Sequence, residues 1–388
     1  MSKVEEVLIV GAGIAGCSAA IALADLGKRV TLVEKQDRWR FQSSGIFVYA
    51  NGLAYLRALN LLPQILEAGF GIADGKNVYL DHEGQTIANV YYPTSSAEIP
   101  PILGIKRAEM HRVLANRLLQ QGVEIRLSTT PTKISDDVAN RRTRVELSDG
   151  SVGEYDLVIG ADGIRSQVRS LLVDAIEPRY SGFGVWRSVH RRPRDLTAKI
   201  MLMGVGKRLG ILPICDDRLY MFGTVPEPAN PWYRREEWPE AMKSKFAEFG
   251  GPARKLLDEI SADSEILYTA VEEVSMPLPW HRGRTILIGD AVHASTPFMG
   301  QGGAMAVMDA VVLAKMLALD EDVESTLTAF GERRFPMCKF VQDSSREVGQ
   351  AGAVEDVDTC KVRNAAIREK AQGRIDSFYD NLASFKGL

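Results

Sequence analysis

The stretch Val7-Leu8-Ile9-Val10-Gly11-Ala12-Gly13-Ile14-Ala15-Gly16 decides how the chain is read. An apolar, β-branched run from Val4 to Val10 meets a glycine turn, and the small-residue segment Ile14 to Leu26 behind it has helical spacing. A second strand, Arg29 to Glu34, completes a βαβ unit. Within the GxGxxG pattern Gly11 permits the tight turn, Gly13 lets backbone approach a pyrophosphate, and Gly16 allows close helix packing. The helix start, with Ile14 and Ala15 in its first turn, offers unpaired N–H groups and a favourable dipole to that anion. Glu34, with Lys35 beside it, ends the second strand, where a carboxylate accepts hydrogen bonds from ribose hydroxyls. An acid there disfavours a 2′-phosphate and points to FAD or NAD over NADP.

Outward from this unit, 388 residues exceed what a single core usually holds, so a dinucleotide domain carrying an inserted substrate domain is expected. The net charge of −3, with Lys and Arg scattered, argues against nucleic acid as a partner. Cys17, Cys215, Cys338 and Cys360 form no CxxC pair, which excludes a redox-disulfide motif and zinc spacing and fits a reduced cytoplasmic setting. No HxxH or HExxH pattern suggests a metal, and His293 reads as structural. The run from Val7 to Ala15 is too short for a bilayer, which takes about 20 apolar residues, so no transmembrane segment is expected.

Further along, helical spacing covers Asn51 to Leu66 and Arg107 to Gln121, and Asn77 to Val90 alternates like a hairpin around Asp81-His82-Glu83-Gly84. Thr143 to Leu147 and Asp156 to Ile159 read as strands returning to the sheet. Between about Gly182 and Val274, short strands at Lys199 to Met203, Leu209 to Pro213 and Arg218 to Val225 predict an inserted antiparallel sheet. Arg284 to Ile288 is another buried strand, followed by a helix from about Gln301 to Leu319 and a mostly helical remainder. The expected division is 1–74, 101–181 and 275–345 for the cofactor domain, 75–100 and 182–274 for the substrate domain, and 346–388 for a C-terminal helical segment.

Two further segments separate flavin from nicotinamide. Asp156-Leu157-Val158-Ile159-Gly160-Ala161-Asp162-Gly163-Ile164-Arg165-Ser166 resembles the DG motif of the class A flavoprotein aromatic hydroxylases. Gly289-Asp290-Ala291-Val292-His293, continuing to Pro297 and Gly300-Gln301-Gly302-Gly303, resembles their GD motif and flavin-ring loop. With the first glycine loop these occur in the family's order and span most of the chain. The resemblance implies an α/β fold with a Rossmann-like FAD-binding domain of the GR2, para-hydroxybenzoate hydroxylase-like type, an inserted antiparallel-sheet substrate domain and C-terminal helices. It also implies that Asp162 and Gly163 belong to the cofactor site, that Asp290 binds the ribityl hydroxyls, that the Gly300-Gln301-Gly302 backbone faces the flavin pyrimidine edge, and that Arg107 starts a helix beside FAD.

By the same resemblance the activity is a monooxygenation: FAD reduced by NADH or NADPH, which binds transiently, reacts with O2, and a C4a-hydroperoxyflavin hydroxylates a small aromatic or N-heteroaromatic compound. Gly206-Lys207-Arg208-Leu209-Gly210, with Tyr220 twelve residues on, is similar to FAD-dependent urate hydroxylases and related salicylate hydroxylase-like enzymes. It implies substrate contact by Arg208 and Tyr220 beside Pro297. Where the urate enzymes place a carboxylate after that proline, this chain has Phe298, which favours a less polar substrate. Met201, Met203, Ile211, Phe222 and Phe298 are the expected pocket walls. Epoxidation, N-hydroxylation and decarboxylative hydroxylation fit the same motifs, and a non-catalytic binding protein on this fold is the reading of another class. Monomer and homodimer stay equally open.

Overall fold

The structure, a computed structural model, describes residues 4–39, 44–94, 96–137, 139–173, 176–319 and 322–385. The glycine turn sits at the head of a six-stranded sheet in the order His281–Arg282, Thr285–Leu287, Leu157–Gly160, Glu6–Val10, Arg29–Val33 and Glu124–Arg126. All pairings are parallel except that of the His281–Arg282 edge. Leu157–Gly160 is buried throughout, as an interior strand covered on both faces must be. Helices Ile14–Asp25, Arg107–Gln121 and Gly302–Leu317 contribute to the core that buries this sheet.

Two expectations change here. Thr143 to Leu147 does not join this sheet: Arg142–Leu147 pairs with Pro131–Asp137 and Val152–Tyr155 in a separate three-stranded sheet, and only Leu157–Gly160 returns. The helical run from Asn51 to Leu66 is two helices, Ala50–Ala58 and Leu62–Ala68, because the chain reverses at Asn60, whose φ is +57°. Asparagine tolerates that left-handed conformation better than most residues.

The second layer is a seven-stranded sheet in the order Ile266–Glu273, Arg179–Arg191, Arg218–Pro226, Arg208–Pro213, Lys199–Met203, Lys76–Asp81 and Thr86–Tyr91. It is mixed, not purely antiparallel, since the hairpin joins through the parallel pair Lys76–Asp81 and Lys199–Met203. Strand alternation divides its residues between two faces. Leu80, Leu202, Leu209, Ile211 and Met221 pack with Phe246, Phe249 and Leu256 beneath helices Trp238–Lys245 and Gly251–Asp258. The opposite face carries Tyr79, Lys199, Met201, Met203, Arg208, Tyr220 and Phe222 and turns toward a three-stranded sheet of Gly45–Tyr49, Ile102–Lys106 and Gly69–Ile72. The sheets approach closely: a Cβ on Gly45 would lie 2.3 Å from the Tyr220 ring.

The C-terminal helices cover the open side. Val323–Gly352, capped by Asp322 through the Ser325 amide, is continuous, so the division drawn at 345/346 falls inside it. Val357–Ser384, capped by Asp356 through the Thr359 amide, lies along the sheet edge. There the Gln372 side-chain amide accepts from Tyr91 N at 2.8 Å and donates to Tyr91 O at 2.9 Å, closing the edge as a neighbouring strand would. Among the described residues no helix is long and apolar enough to cross a membrane.

Candidate active site

At the first glycine turn, Gly11 has φ +98°, and a Cβ there would lie 2.6 Å from Ala161 O, so no other residue fits without displacing the DG strand. Gly16 supports the turn from behind: its Cβ would sit 1.8 Å from Gly11 O. Gly13, by contrast, has open space where a side chain would project. The Ala12 carbonyl is held by Trp39 Nε1 at 3.2 Å, Cys17 Sγ at 3.2 Å and the His111 ring at 3.0 Å. Burial pushes the His111 value down to about 4, so the ring is neutral near pH 7. Sequence reasoning missed Trp39 and His111, which carry no pattern of their own.

Glu34 accepts from Ala12 N at 2.9 Å and Gln36 N at 3.0 Å, which places its carboxylate beside the turn. A cavity of about 470 Å³ opens there, lined by Gly11, Gly13, Glu34, Lys35, Arg107, Asp162 and Gly163. It shares Gly13, Arg107 and Gly163 with a second cavity of about 440 Å³, lined by Ile14, Ala15, Asp290, Pro297, Gly300, Gly302 and Gly303. The two form one trench across the ends of the parallel strands, where open α/β sheets take their ligands. Three distant stretches of chain thus meet along it.

The residues in the trench have different duties. The Asp162 carboxylate is turned onto the helix Gln167–Leu172, accepting from Gln167 N at 2.7 Å and Val168 N at 3.0 Å, so what it presents is chiefly backbone. Asp290 starts the short helix Asp290–His293 and is exposed to the trench. Gln301 precedes the helix start at Gly302, and its side chain turns away, accepting from Asn51 Nδ2 at 2.8 Å and donating to the Tyr379 hydroxyl at 3.4 Å. A helix start without a side-chain cap favours negative charge placed beside it. The open wall at Gly13, the helix N-terminus behind it, the carboxylate at Glu34 and the second helix N-terminus at Gly302 suit FAD. Bound there, FAD supplies the electron transfer and oxygen activation that side chains cannot.

Beyond the Asp290 end, Phe47, Arg208, Phe222 and Phe298 belong both to the trench and to a chamber of about 1020 Å³. Arg208 is buried, donates from Nε to Thr224 Oγ1 at 3.2 Å, and lies 5.0 Å from the Phe298 ring centre. Burial lowers its value to about 10, leaving a guanidinium that is still charged near neutrality. Tyr220 stacks on Phe222 at 5.4 Å, and burial raises its value while the Arg187 charge opposes. Met201 and Met203 line the chamber, but Ile211 does not. It faces the Phe246 layer, because it stands an odd number of residues from Arg208 on the same strand. Lys199, Tyr49, Tyr79, Tyr92 and Tyr379 also line the chamber and were not anticipated. One signal was available: Lys199 opens the strand whose Met201 and Met203 share its face.

A two-part trench that fits a flavin dinucleotide, opening onto an aromatic chamber, defines an FAD-dependent monooxygenase. The chain belongs to the FAD binding domain family, which matches residues 5–345. It is 34% identical over 372 residues to 2-heptyl-3-hydroxy-4(1H)-quinolone synthase of Pseudomonas aeruginosa, covering 93% of each chain. It is 30% identical over 376 residues to aurachin C monooxygenase/isomerase of Stigmatella aurantiaca, covering 96% of each. Klebsiella pneumoniae HpxO complexed with FAD and uric acid shares the fold with a TM-score of 0.87 at 24% identity, over 98% of this chain and 97% of that one.

Proposed function

We propose that the enzyme uses FAD, a transiently bound NADH or NADPH and O2 to hydroxylate a bicyclic N-heteroaromatic ring that carries an aliphatic tail. The chamber is the observation that carries this reading. Its neck, at Arg208, Phe222 and Phe298, meets the trench where the reactive ring of the cofactor belongs, and its far wall is built from Phe340, Val348, Ile367, Ala371, Ile375 and Phe378 of the C-terminal helices. A bare ring would leave most of about 1020 Å³ unfilled. The name of the Pseudomonas aeruginosa relative, a 2-heptyl-3-hydroxy-4(1H)-quinolone synthase, supports a tail-bearing substrate.

In this reading Gly11, Gly13, Ile14, Ala15, Glu34, Lys35, Arg107, Gly163, Asp290 and the Gly300-to-Gly303 loop hold FAD, with Gly16 and Asp162 shaping the turns. Arg208 places a fixed charge beside a substrate carbonyl or ring oxygen, and Tyr220 orients the ring. Phe298 and Pro297 keep water from the reacting face. The test is a series of 4(1H)-quinolones with tails from methyl to nonyl, scored by substrate-stimulated NAD(P)H oxidation and product mass. KM should fall about three- to fourfold per added methylene, near 0.8 kcal/mol each, until the chamber is full. A KM indifferent to tail length would remove the tail from the reading.

A further inference from the structure

Lys199 is buried at the first position of its strand, inside a box of rings. Its Nζ lies 2.9 Å from the Tyr49 hydroxyl, 4.7 Å from the Phe47 ring centre, 5.4 Å from that of Tyr49 and 5.3 Å from that of Tyr92. The Tyr49 and Tyr92 rings stack at 4.8 Å, and Tyr379 closes the box edge-on to both. Among the described residues no carboxylate lies within ion-pair distance of Nζ. A buried ammonium without a counter-charge is costly, and the cost is relieved when the group gives up its proton.

The groups facing this amine are few. Arg208 adds a positive charge from the next strand; Tyr49, Tyr79, Tyr92 and Tyr379 present hydroxyls whose values burial raises, so they stay neutral. Glu347, Glu369, Lys370 and Arg374 line the chamber from the C-terminal helices, with Glu347 and Glu369 exposed. Burial, reinforced by Arg208, brings Lys199 down to about 7. Arg208 cannot accept a proton, whereas a neutral Lys199 can.

We propose that Lys199 and Tyr49 form the acid–base pair of the chamber, removing the proton from a ring hydroxyl or ring N–H of the substrate before oxygen transfer. This rests on the aromatic-substrate reading above. The substrate O–H or N–H bond breaks toward the Tyr49 oxygen, the Tyr49 proton passes to the lone pair of Lys199 Nζ, and the substrate is left as a ring-stabilised anion beside a lysine ammonium. No electrons are exchanged with an external reagent in this step. An anionic ring donates electron density more readily than its neutral acid, which is what oxygen transfer to a ring carbon requires.

The test uses the FAD-loaded enzyme and 4-nitrophenol, whose colour reports its ionisation, titrated between about pH 6 and 9. Bound to the native enzyme, the probe should ionise about one pH unit or more below its free value. In Lys199→Met that depression should shrink to the part that the Arg208 charge alone sustains, with the flavin content unchanged. Tyr49→Phe, a milder change, should reduce it. Lys199→Arg should still favour the bound anion through its charge, but should flatten the rise of turnover with pH through about 7 on a heteroaromatic substrate.

A Lys199→Met enzyme that binds the probe as fully ionised as the native one overturns the proposal. So does a native enzyme that leaves the probe's ionisation unshifted. If heteroaromatic substrates still stimulate NAD(P)H oxidation in the latter case, only the lysine's role is lost. If they do not, the substrate reading beneath it fails too.

Discussion

The Asp309 carboxylate accepts from Gly289 N at 2.8 Å, tying the long helix Gly302–Leu317 to the residue just before Asp290. The same oxygen meets His293 Nε2 at 2.6 Å, and the other accepts from Arg334 Nε at 2.7 Å, all fully buried. Asp290 therefore reaches the trench from a mount fixed by groups that do not line it. Cys338 lies beside this cluster, but the carboxylate is already occupied by Gly289, His293 and Arg334.

Asp309→Ala leaves the Arg334 guanidinium buried without its carboxylate, which costs about 3 to 5 kcal/mol. Urea unfolding should show that loss, and the flavin-to-protein ratio should fall with it, because the Gly289 turn loses its anchor. A variant with native stability and full flavin would contradict the assigned role.

Asp309 also sets an acid limit. Burial opposes its ionisation, but His293 and Arg334 together hold it down to about 2, below the ordinary 3.8. The native state thus binds fewer protons than the unfolded chain over that interval, so this contribution is intact above about 3.8 and drains as pH falls toward 2. For His293, burial opposes protonation, yet Cys338 and Asp309 raise its value above 6.5, so its share is present below 6.5 and is lost as pH climbs through the raised value. Asp309→Asn should flatten both arms of a plot of urea midpoint against pH.

Gly13 and Gly16 should separate cofactor binding from folding. Space is open where a Gly13 Cβ would project, so Gly13→Val should keep the melting temperature of the flavin-free protein but weaken FAD binding at least about tenfold, near 1.4 kcal/mol. Gly16→Ala drives a methyl against Gly11 O and should cost about 1 to 3 kcal/mol in stability. Calorimetry and flavin titration of both variants check the contrast.

Arg208→Ala should raise KM about ten- to a hundredfold, the loss of one charged hydrogen bond, with flavin content unchanged. Lost flavin with unaltered KM would place Arg208 in the cofactor site instead.

Ala371, on the far wall, is 9% exposed. Ala371→Trp should raise KM for a nonyl-tailed quinolone about tenfold more than for the methyl compound, roughly the loss of two buried methylenes. Equal effects on the two substrates would argue against a tail in that region.

The trench was largely legible because its shape depends on backbone: Gly11, Gly16 and Gly300 stand where a Cβ would strike another part of the chain, and that necessity is written into residue type. Alternation would also have set Ile211 apart from Arg208, since residues three apart on a strand point oppositely. The chamber was less legible. Tyr49, Tyr92, Lys199 and Tyr379 come from separate elements, and their meeting depends on sheet register and on how Gln372 fastens the last helix to Tyr91. Asp309 gave no signal either, as one acid in an apolar helix whose partners lie in two other segments, Gly289 to His293 and the helix that carries Arg334.

In the proposed reaction the trench and the chamber act together across the neck at Arg208 and Phe298. The most direct measurement of this is the product formed by FAD-loaded enzyme from a tail-bearing 4(1H)-quinolone, NAD(P)H and isotopically labelled dioxygen. A hydroxylated ring carrying a single labelled oxygen is expected, formed with close to one NAD(P)H consumed per product. Full flavin loading with the label appearing only in hydrogen peroxide or water, for every ring tested, would contradict it.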